Sequence, residues 1–274
     1  MGKLFVVPTP IGNLKDITLR ALEVLKTADV VACEDTRQTL KLLNHYNIKG
    51  KRLVSYYQPK EEEKIPLLLN LLREGKTVAL VSDAGTPALS DPGYKLVREV
   101  IKEGLEVEVL PGATALTTAL VGSGLPSDRF LFLGFPPKRG LKEFFNPFLG
   151  LEVTFILYES PHRLLKTLEV IGELFNNPPT VVAKELTKLY EEYVRGETTE
   201  EVLRYFKENP DKVKGEFVIL FRPQGETPKK PLDLKGEVLK LKKRGLSAKE
   251  IYKTLRDKGF KVDRREVYKI YGEF

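Results

Sequence analysis

Val78-Ala79-Leu80-Val81-Ser82, followed by Asp83-Ala84-Gly85-Thr86-Pro87, decides the fold. The apolar run is too short for a helix and reads as a buried strand. The segment after it is polar and turn-forming, and continues into Ser90-Asp91-Pro92-Gly93. A ligand-binding loop of an α/β protein has this form, because ligands bind beyond the carboxyl ends of parallel strands.

The same form recurs on both sides. Leu4–Val7 runs into Pro8-Thr9-Pro10-Ile11-Gly12-Asn13, and Val30–Cys33 into Glu34-Asp35-Thr36-Arg37. The alternating Leu105–Leu110 runs into Pro111-Gly112-Ala113-Thr114-Ala115. One such loop is weak, since Gly and Pro punctuate turns generally; several of one polarity point to a shared crevice. Leu53–Tyr56 is a further strand. Amphipathic spacing predicts helices over Asp16–Lys26 (with Asp16 or Thr18 as N-cap), Thr39–His45, Ile65–Glu74, Tyr94–Glu103 and Ala113–Val121. Strands alternating with helices imply a largely parallel sheet covered on both faces.

Gly122–Ser127 is the first linker expected, dividing an α/β domain over residues 1–121 from a second α/β domain over 122–225. The second half has strands at Phe130–Leu133, Val153–Tyr158, Thr180–Ala183, Glu191–Arg195 and Glu216–Phe221, with helices over Pro161–Phe175 and Thr199–Glu208, a mixed-sheet texture. Pro223–Pro231 is a second, Pro-rich linker. Beyond it a helical module over 230–274 is expected, with helices at Gly236–Arg244, Ser247–Lys258 and Arg264–Tyr271. Ser247 and Glu250 form a capping box there.

The charge is unevenly placed. The chain has 274 residues and a formal net charge of +7. Residues 1–228 carry a net −1 and residues 229–274 a net +8. A concentrated basic module suits a polyanion, nucleic acid first; a solvated Lys-rich surface is the alternative. The composition excludes collagen-like, disulfide-scaffold and extended disordered chains. Cys33 is the sole cysteine, so no intramolecular disulfide forms, which suits a cytoplasmic setting. The first residues lack a signal-peptide h-region, and no run of about 18 apolar residues exists, so no membrane association is expected. There is no dinucleotide fingerprint and no P-loop, because Asn70 stands where its first Gly belongs. With two His and no paired Cys, no metal site is expected.

These motifs together resemble the tetrapyrrole-methylase superfamily. The residues that carry the likeness are Pro8–Leu14, Glu34–Arg37, Val81–Pro87 with Asp91-Pro92-Gly93, and Leu110-Pro111-Gly112. Gly124–Phe130, Tyr158–Arg163 and Ala183–Lys188 narrow it to the branch that modifies small-subunit ribosomal RNA. The likeness spans about residues 3–222, and the tail resembles that branch's helical module. Tyr57–Glu63 departs from it, where a His- and Asn-containing segment is expected. The resemblance implies a two-domain tetrapyrrole-methylase fold and S-adenosylmethionine as methyl donor. It also implies 2′-O-methylation of a cytidine in the decoding region of 16S rRNA, in naked rRNA or in the small ribosomal subunit, and a homodimer. A small-molecule methylase and a non-catalytic ribosome-binding assembly factor are the alternatives.

On this reading Asp83 and Thr86 contact the donor, an Asx-turn cap being the plainer role for Asp83. Thr114 and Ala115, at a helix start, let backbone approach the ligand; close helix–sheet packing is compatible with that. Ile11 packs on the donor or anchors its loop. Tyr158, Ala183 and Gly215 are carried over from superfamily donor sites, Tyr158 to cover the adenine or to fill the core. Asp35, Arg37 and Arg163 fall on the substrate side, with Arg37 on a phosphate; a surface ion pair is the plain alternative for Asp35 and Arg37. Lys184 or Glu185 is the expected proton acceptor or oxyanion partner, or else a structural ion pair. His162, beside Pro161, is expected at the surface.

Overall fold

A computed structural model describes residues 2–224, 234–257 and 262–272. The chain forms two compact units, Met1–Pro223 and Gln224–Phe274. Most of the second linker, Pro223–Pro231, lies outside the described residues.

The first sheet of the larger unit is fully parallel. It contains β1 (Lys3–Val6), β2 (Val30–Cys33), β3 (Arg52–Ser55), β4 (Val78–Val81) and β5 (Glu106–Val109), in the order β3-β2-β4-β1-β5. Alternation along each strand divides its residues between two cores. Leu4, Val6, Val30, Ala32, Val78 and Leu80 face α3 (Glu61–Arg73) and α4 (Tyr94–Lys102). Val31, Cys33, Ala79 and Val81 face α1 (Leu19–Thr27) and α2 (Thr36–His45). Cover on both faces is what lets the central strands β2 and β4 be continuously apolar and buried.

The helix limits differ from the sequence reading where caps intervene. Thr18, not Asp16, caps α1, its hydroxyl accepting from the Ala21 N–H at 3.0 Å; Leu14–Asp16 is a separate 3-10 turn. Asp35 caps α2 and accepts from the Arg37 N–H at 2.8 Å, so Thr36 and Arg37 are helical rather than loop. Glu61, Glu62 and Glu63 open α3 a turn before Ile65, where carboxylates complement the helix dipole. Pro66 is accommodated on the exposed side of that helix.

The second sheet is mixed, as expected. β6 (Phe130–Phe132), β7 (Thr154–Glu159), β8 (Thr180–Lys184), β9 (Glu192–Gly196) and β10 (Phe217–Phe221) lie in the order β6-β7-β10-β8-β9, with only β6 and β7 parallel. One face packs on α7 (Leu164–Leu174), α8 (Thr199–Glu208) and the short α6 (Leu141–Phe145), which the sequence reading did not anticipate. The other face, with Ile156, Val181, Ala183, Val218 and Leu220, packs on Leu116, Ala119 and Leu120 of α5 (Ala115–Ser123) and on Ile11. The last helix of the first half thus belongs by packing to the second sheet, and the β1 loop reaches the same core.

The smaller unit holds α9 (Leu234–Lys243), α10 (Ala248–Asp257) and α11 (Arg264–Gly272) around Val238, Leu241, Ile251, Leu255 and Val267. The capping box forms: the Ser247 N–H donates to Glu250 Oε2 at 2.9 Å, and the Glu250 N–H to Ser247 Oγ at 3.4 Å. The predicted end of that helix at Lys258 lies outside the described residues. Among the described residues no helix is long and apolar enough to cross a membrane.

Candidate active-site cleft

The carboxyl ends of β1, β4 and β5 point their loops toward one cleft of about 350 Å³. The β1 and β4 loops are tied by reciprocal backbone bonds, Thr9 N–H to Gly85 O at 2.9 Å and Gly85 N–H to Thr9 O at 3.0 Å. Gly85 has a φ of +85°, and a Cβ there would lie 3.3 Å from Ile11 Cγ2. A side chain at this position would be strained and would crowd the cleft floor. Thr86 Oγ1 donates to Ala113 O at 3.0 Å, holding the β4 loop against the start of α5. Thr114 is the α5 N-cap, and Ala115 its first residue.

The opposite wall comes from the second sheet. Tyr158 lies edge-on to Phe132 at 4.9 Å and to Phe135 at 5.4 Å. Burial pushes its phenol pKa up, while bonds from the Leu116 backbone and the Thr114 side chain oppose the shift. Its ring packs in the core that joins the second sheet to α5. Gly215 (φ +91°) and Val218 complete the wall.

Six of the eight predicted donor residues line this cleft: Ile11, Thr86, Thr114, Ala115, Tyr158 and Gly215. Ala183 lies fully buried beneath it, paired in register with Val218. Asp83 is not among the lining residues; its Oδ1 accepts the Asp35 N–H at 3.1 Å and ties the ends of β4 and β2. Asp35 grips Arg37 through both carboxylate oxygens, at 3.1 and 2.7 Å, which holds its own pKa down at about 2. The Arg37 side chain remains largely exposed.

Arg163 turns inward. It donates to Pro136 O at 2.8 Å and pairs with Glu159 at 2.7 Å, and Glu159 also accepts from the Ser160 N–H and from Thr167 Oγ1, both at 2.7 Å. Lys184 and Glu185 do not line the cleft but an adjoining depression, sharing only Gly215 with it. Lys184 is buried 4.0 Å from Glu192. Glu185 accepts the Glu216 N–H at 2.9 Å and Lys188 Nζ at 3.1 Å. His162 is exposed, as expected.

Sequence reasoning passed over Asp91 and Phe135, both in the cleft lining. Burial pushes the Asp91 carboxyl up to about 6, against a bond from Ser82, and the nearby charge of Asp83 adds to the rise. Glu34 is also raised, first by burial and then by the Asp91 and Asp83 charges. The signal for Asp91 was present in Ser90-Asp91-Pro92-Gly93, a polar turn following a buried strand. Phe135 follows Gly134 at the end of β6 and has no sequence signature. Among the described residues no group of carboxylates, His or Cys is arranged to hold a metal.

Comparison with known proteins agrees with this architecture. The family model for Tetrapyrrole (Corrin/Porphyrin) Methylases matches residues 3–202. The chain is similar to "Ribosomal RNA small subunit methyltransferase I" of Hydrogenobaculum sp. (strain Y04AAS1), with 52% identity over 80% of this chain and 94% of that protein. It is also similar to the protein of that name from Halalkalibacterium halodurans, at 44% identity over 99% of this chain and 95% of the relative. Among solved structures, uroporphyrin-III C-methyltransferase from Thermus thermophilus, complexed with S-adenyl homocysteine, superposes with a TM-score of 0.55 at 24% identity. That match covers 80% of this chain and 97% of the other.

Proposed function

The chain belongs to the tetrapyrrole methylase family, and from that premise we propose that it transfers a methyl group from S-adenosylmethionine to small-subunit ribosomal RNA, at the 2′-hydroxyl of a cytidine in the decoding region. The observation that carries this reading is the likeness at 44% identity over 99% of the chain, basic module included, to a protein named for that RNA substrate. We include a homodimer in the proposal, as the family resemblance implies.

The cleft fits such a donor. It is mainly apolar, it has a few convergent polar groups, and its volume lies within the range of small-molecule sites. Ile11, Ala115 and Val218 would pack on apolar parts of the ligand, Tyr158 on its adenine, and Thr86 and Thr114 would supply hydroxyls. The donor, when bound, supplies a methyl group already activated on a sulfonium.

What remains for the protein is alignment and exclusion of water. Holding two reactants in register is worth up to about 7–11 kcal/mol of barrier. A ribose hydroxyl must also release its proton, and a positioned carboxylate with a pKa near the working pH suits that task. Asp91 fills the role: it lines the cleft, and burial pushes its carboxyl up to about 6. Lys184 and Glu185 then act as the ion-pair frame of the adjoining loop, and Arg37 stays exposed to meet a phosphate.

Methyl transfer to small ribosomal subunits, mapped by primer extension, tests the reading. Ribose methylation at one cytidine is the expected result. Transfer to a tetrapyrrole and not to RNA would return the small-molecule alternative, and binding of subunits without transfer would return the assembly factor.

A further inference from the structure

The body of the chain is nearly neutral, and many of its cations are paired with local carboxylates. Lys3 pairs with Glu106 and Glu108, Arg73 with Glu103, and Lys207 with Glu169. One depression gathers cations, several of which are not paired in this way. Between the turn after β6 and the first turn of α7 lies a depression of about 220 Å³ lined by Lys138, Arg139, Lys142, Arg163 and Lys166, with Glu143 its only acidic residue. Lys142 is neutralised by Glu173, and Arg163 by Glu159. Lys138, Arg139 and Lys166 are exposed and form no ion pair among the described residues.

This depression adjoins the active-site cleft through the same two segments. Phe135, Ser160 and Pro161 line the cleft; Pro137 and Arg163 line the basic depression. Arg163 clasps the two segments together through Pro136 O. Phe135 stands at the junction, 59% exposed although it is a large aromatic, with one edge against Tyr158. An exposed ring beside unpaired cations is the combination that binds single-stranded nucleic acid: the ring stacks a base and the cations follow the backbone.

We propose that the body carries its own single-stranded RNA surface, in which Phe135 stacks a nucleobase at the cleft rim and Lys138, Arg139 and Lys166 hold the neighbouring phosphates. The inference rests on the rRNA reading above and adds to it a second contact region, separate from the basic tail. Arg163 is its positioning residue, fixing the Phe135–Arg139 turn against α7.

The test uses the full chain with Lys138, Arg139 and Lys166 all changed to Glu, and measures binding to small ribosomal subunits across a salt series. Affinity should fall at least about tenfold at low salt, and the slope of log affinity against log salt should become shallower by about two, at roughly 0.7 for each phosphate left without its cation. Affinity for S-adenosylmethionine, by calorimetry, should be unchanged, which also reports that the fold is intact. Phe135→Ala should weaken subunit binding by about five- to a hundredfold with little change in slope, and Phe135→Tyr should restore it. If the unmodified chain methylates subunits while the triple variant keeps both affinity and slope, the inference falls alone. If the unmodified chain neither binds nor methylates subunits, the rRNA reading falls and the inference with it.

Discussion

Arg163 Nη2 lies 2.7 Å from Glu159 Oε1, and the Glu159 side chain has no exposed surface. A buried carboxylate of this kind tolerates loss of its cation poorly, because an unpaired charge remains behind. Arg163→Ala should therefore destabilise the protein by about 3 kcal/mol, read as a lower urea midpoint at unchanged m-value. Glu159→Gln combined with Arg163→Met should recover part of that loss. Were Arg163 only a substrate contact, stability would hold and RNA affinity alone would fall.

Tyr158 lines the cleft with Thr114 and packs in the core that joins the second sheet to α5. Tyr158→Phe keeps the ring but loses the hydroxyl, which is worth about 1 kcal/mol for one neutral hydrogen bond. Donor affinity should drop by about fivefold on calorimetry. Tyr158→Ala should cost more, since the cleft wall formed with Phe132 and Phe135 goes with it.

Both sheets and most of their helices were legible because most strands are short apolar or alternating runs closed by turn residues. The cleft was legible because the β1, β4 and β5 loops share one polarity. Side-chain direction was not. Arg163 and Arg37 are both arginines near helix starts, yet one turns inward, half-buried against Glu159, and the other stays in solvent. Lys184 and Glu185 follow a strand as cleft residues do, but the antiparallel neighbours of β8 carry them to an adjoining depression. Asp91 lies ten residues beyond the end of β4 and reaches the cleft only because the chain folds back at Ser90 and Gly93, both with positive φ. Such a return is a tertiary event with no local period to announce it.

Asp83 holds the Asp35 N–H and thereby the first turn of α2. Asp83→Ala should loosen the segment that presents Arg37 while leaving the cleft lining in place. The expected outcome is a fall in RNA methylation of about tenfold with donor affinity within about twofold, the loss of one charged hydrogen bond being about 1.5–3 kcal/mol. A large loss of donor affinity would instead restore Asp83 as a donor contact.

The basic tail forms its own compact unit, and residues 229–274 carry a net +8. Deleting them should weaken subunit binding and make it less salt-dependent, because fewer counterions are released. Donor affinity should not change. Equal affinity with and without the tail would assign RNA binding to the body alone.

Asp91 sets the pH behaviour of the site. Its carboxyl is raised from 3.8 to about 6, chiefly by burial. A raised folded-state pKa means that the favourable contribution is complete below about pH 4 and is lost as the pH rises through about 6. Asp91→Asn removes the cost of the buried charge and keeps the size of the side chain. The variant should therefore be more stable than the parent at pH 8, by about 1 kcal/mol once solvent screening of a partly exposed group is allowed for, and no more stable at pH 4. Activity should move the other way. Methyl transfer by the parent should rise with pH through about 6 as the carboxylate forms, and the Asn variant should lose both the rise and most of the rate. Urea denaturation at the two pH values and single-turnover transfer rates between pH 5 and 8 separate the two effects. A variant that gains stability at pH 8 yet keeps the parent's pH–rate profile would leave Asp91 a half-buried part of the cleft wall with no part in the proton transfer.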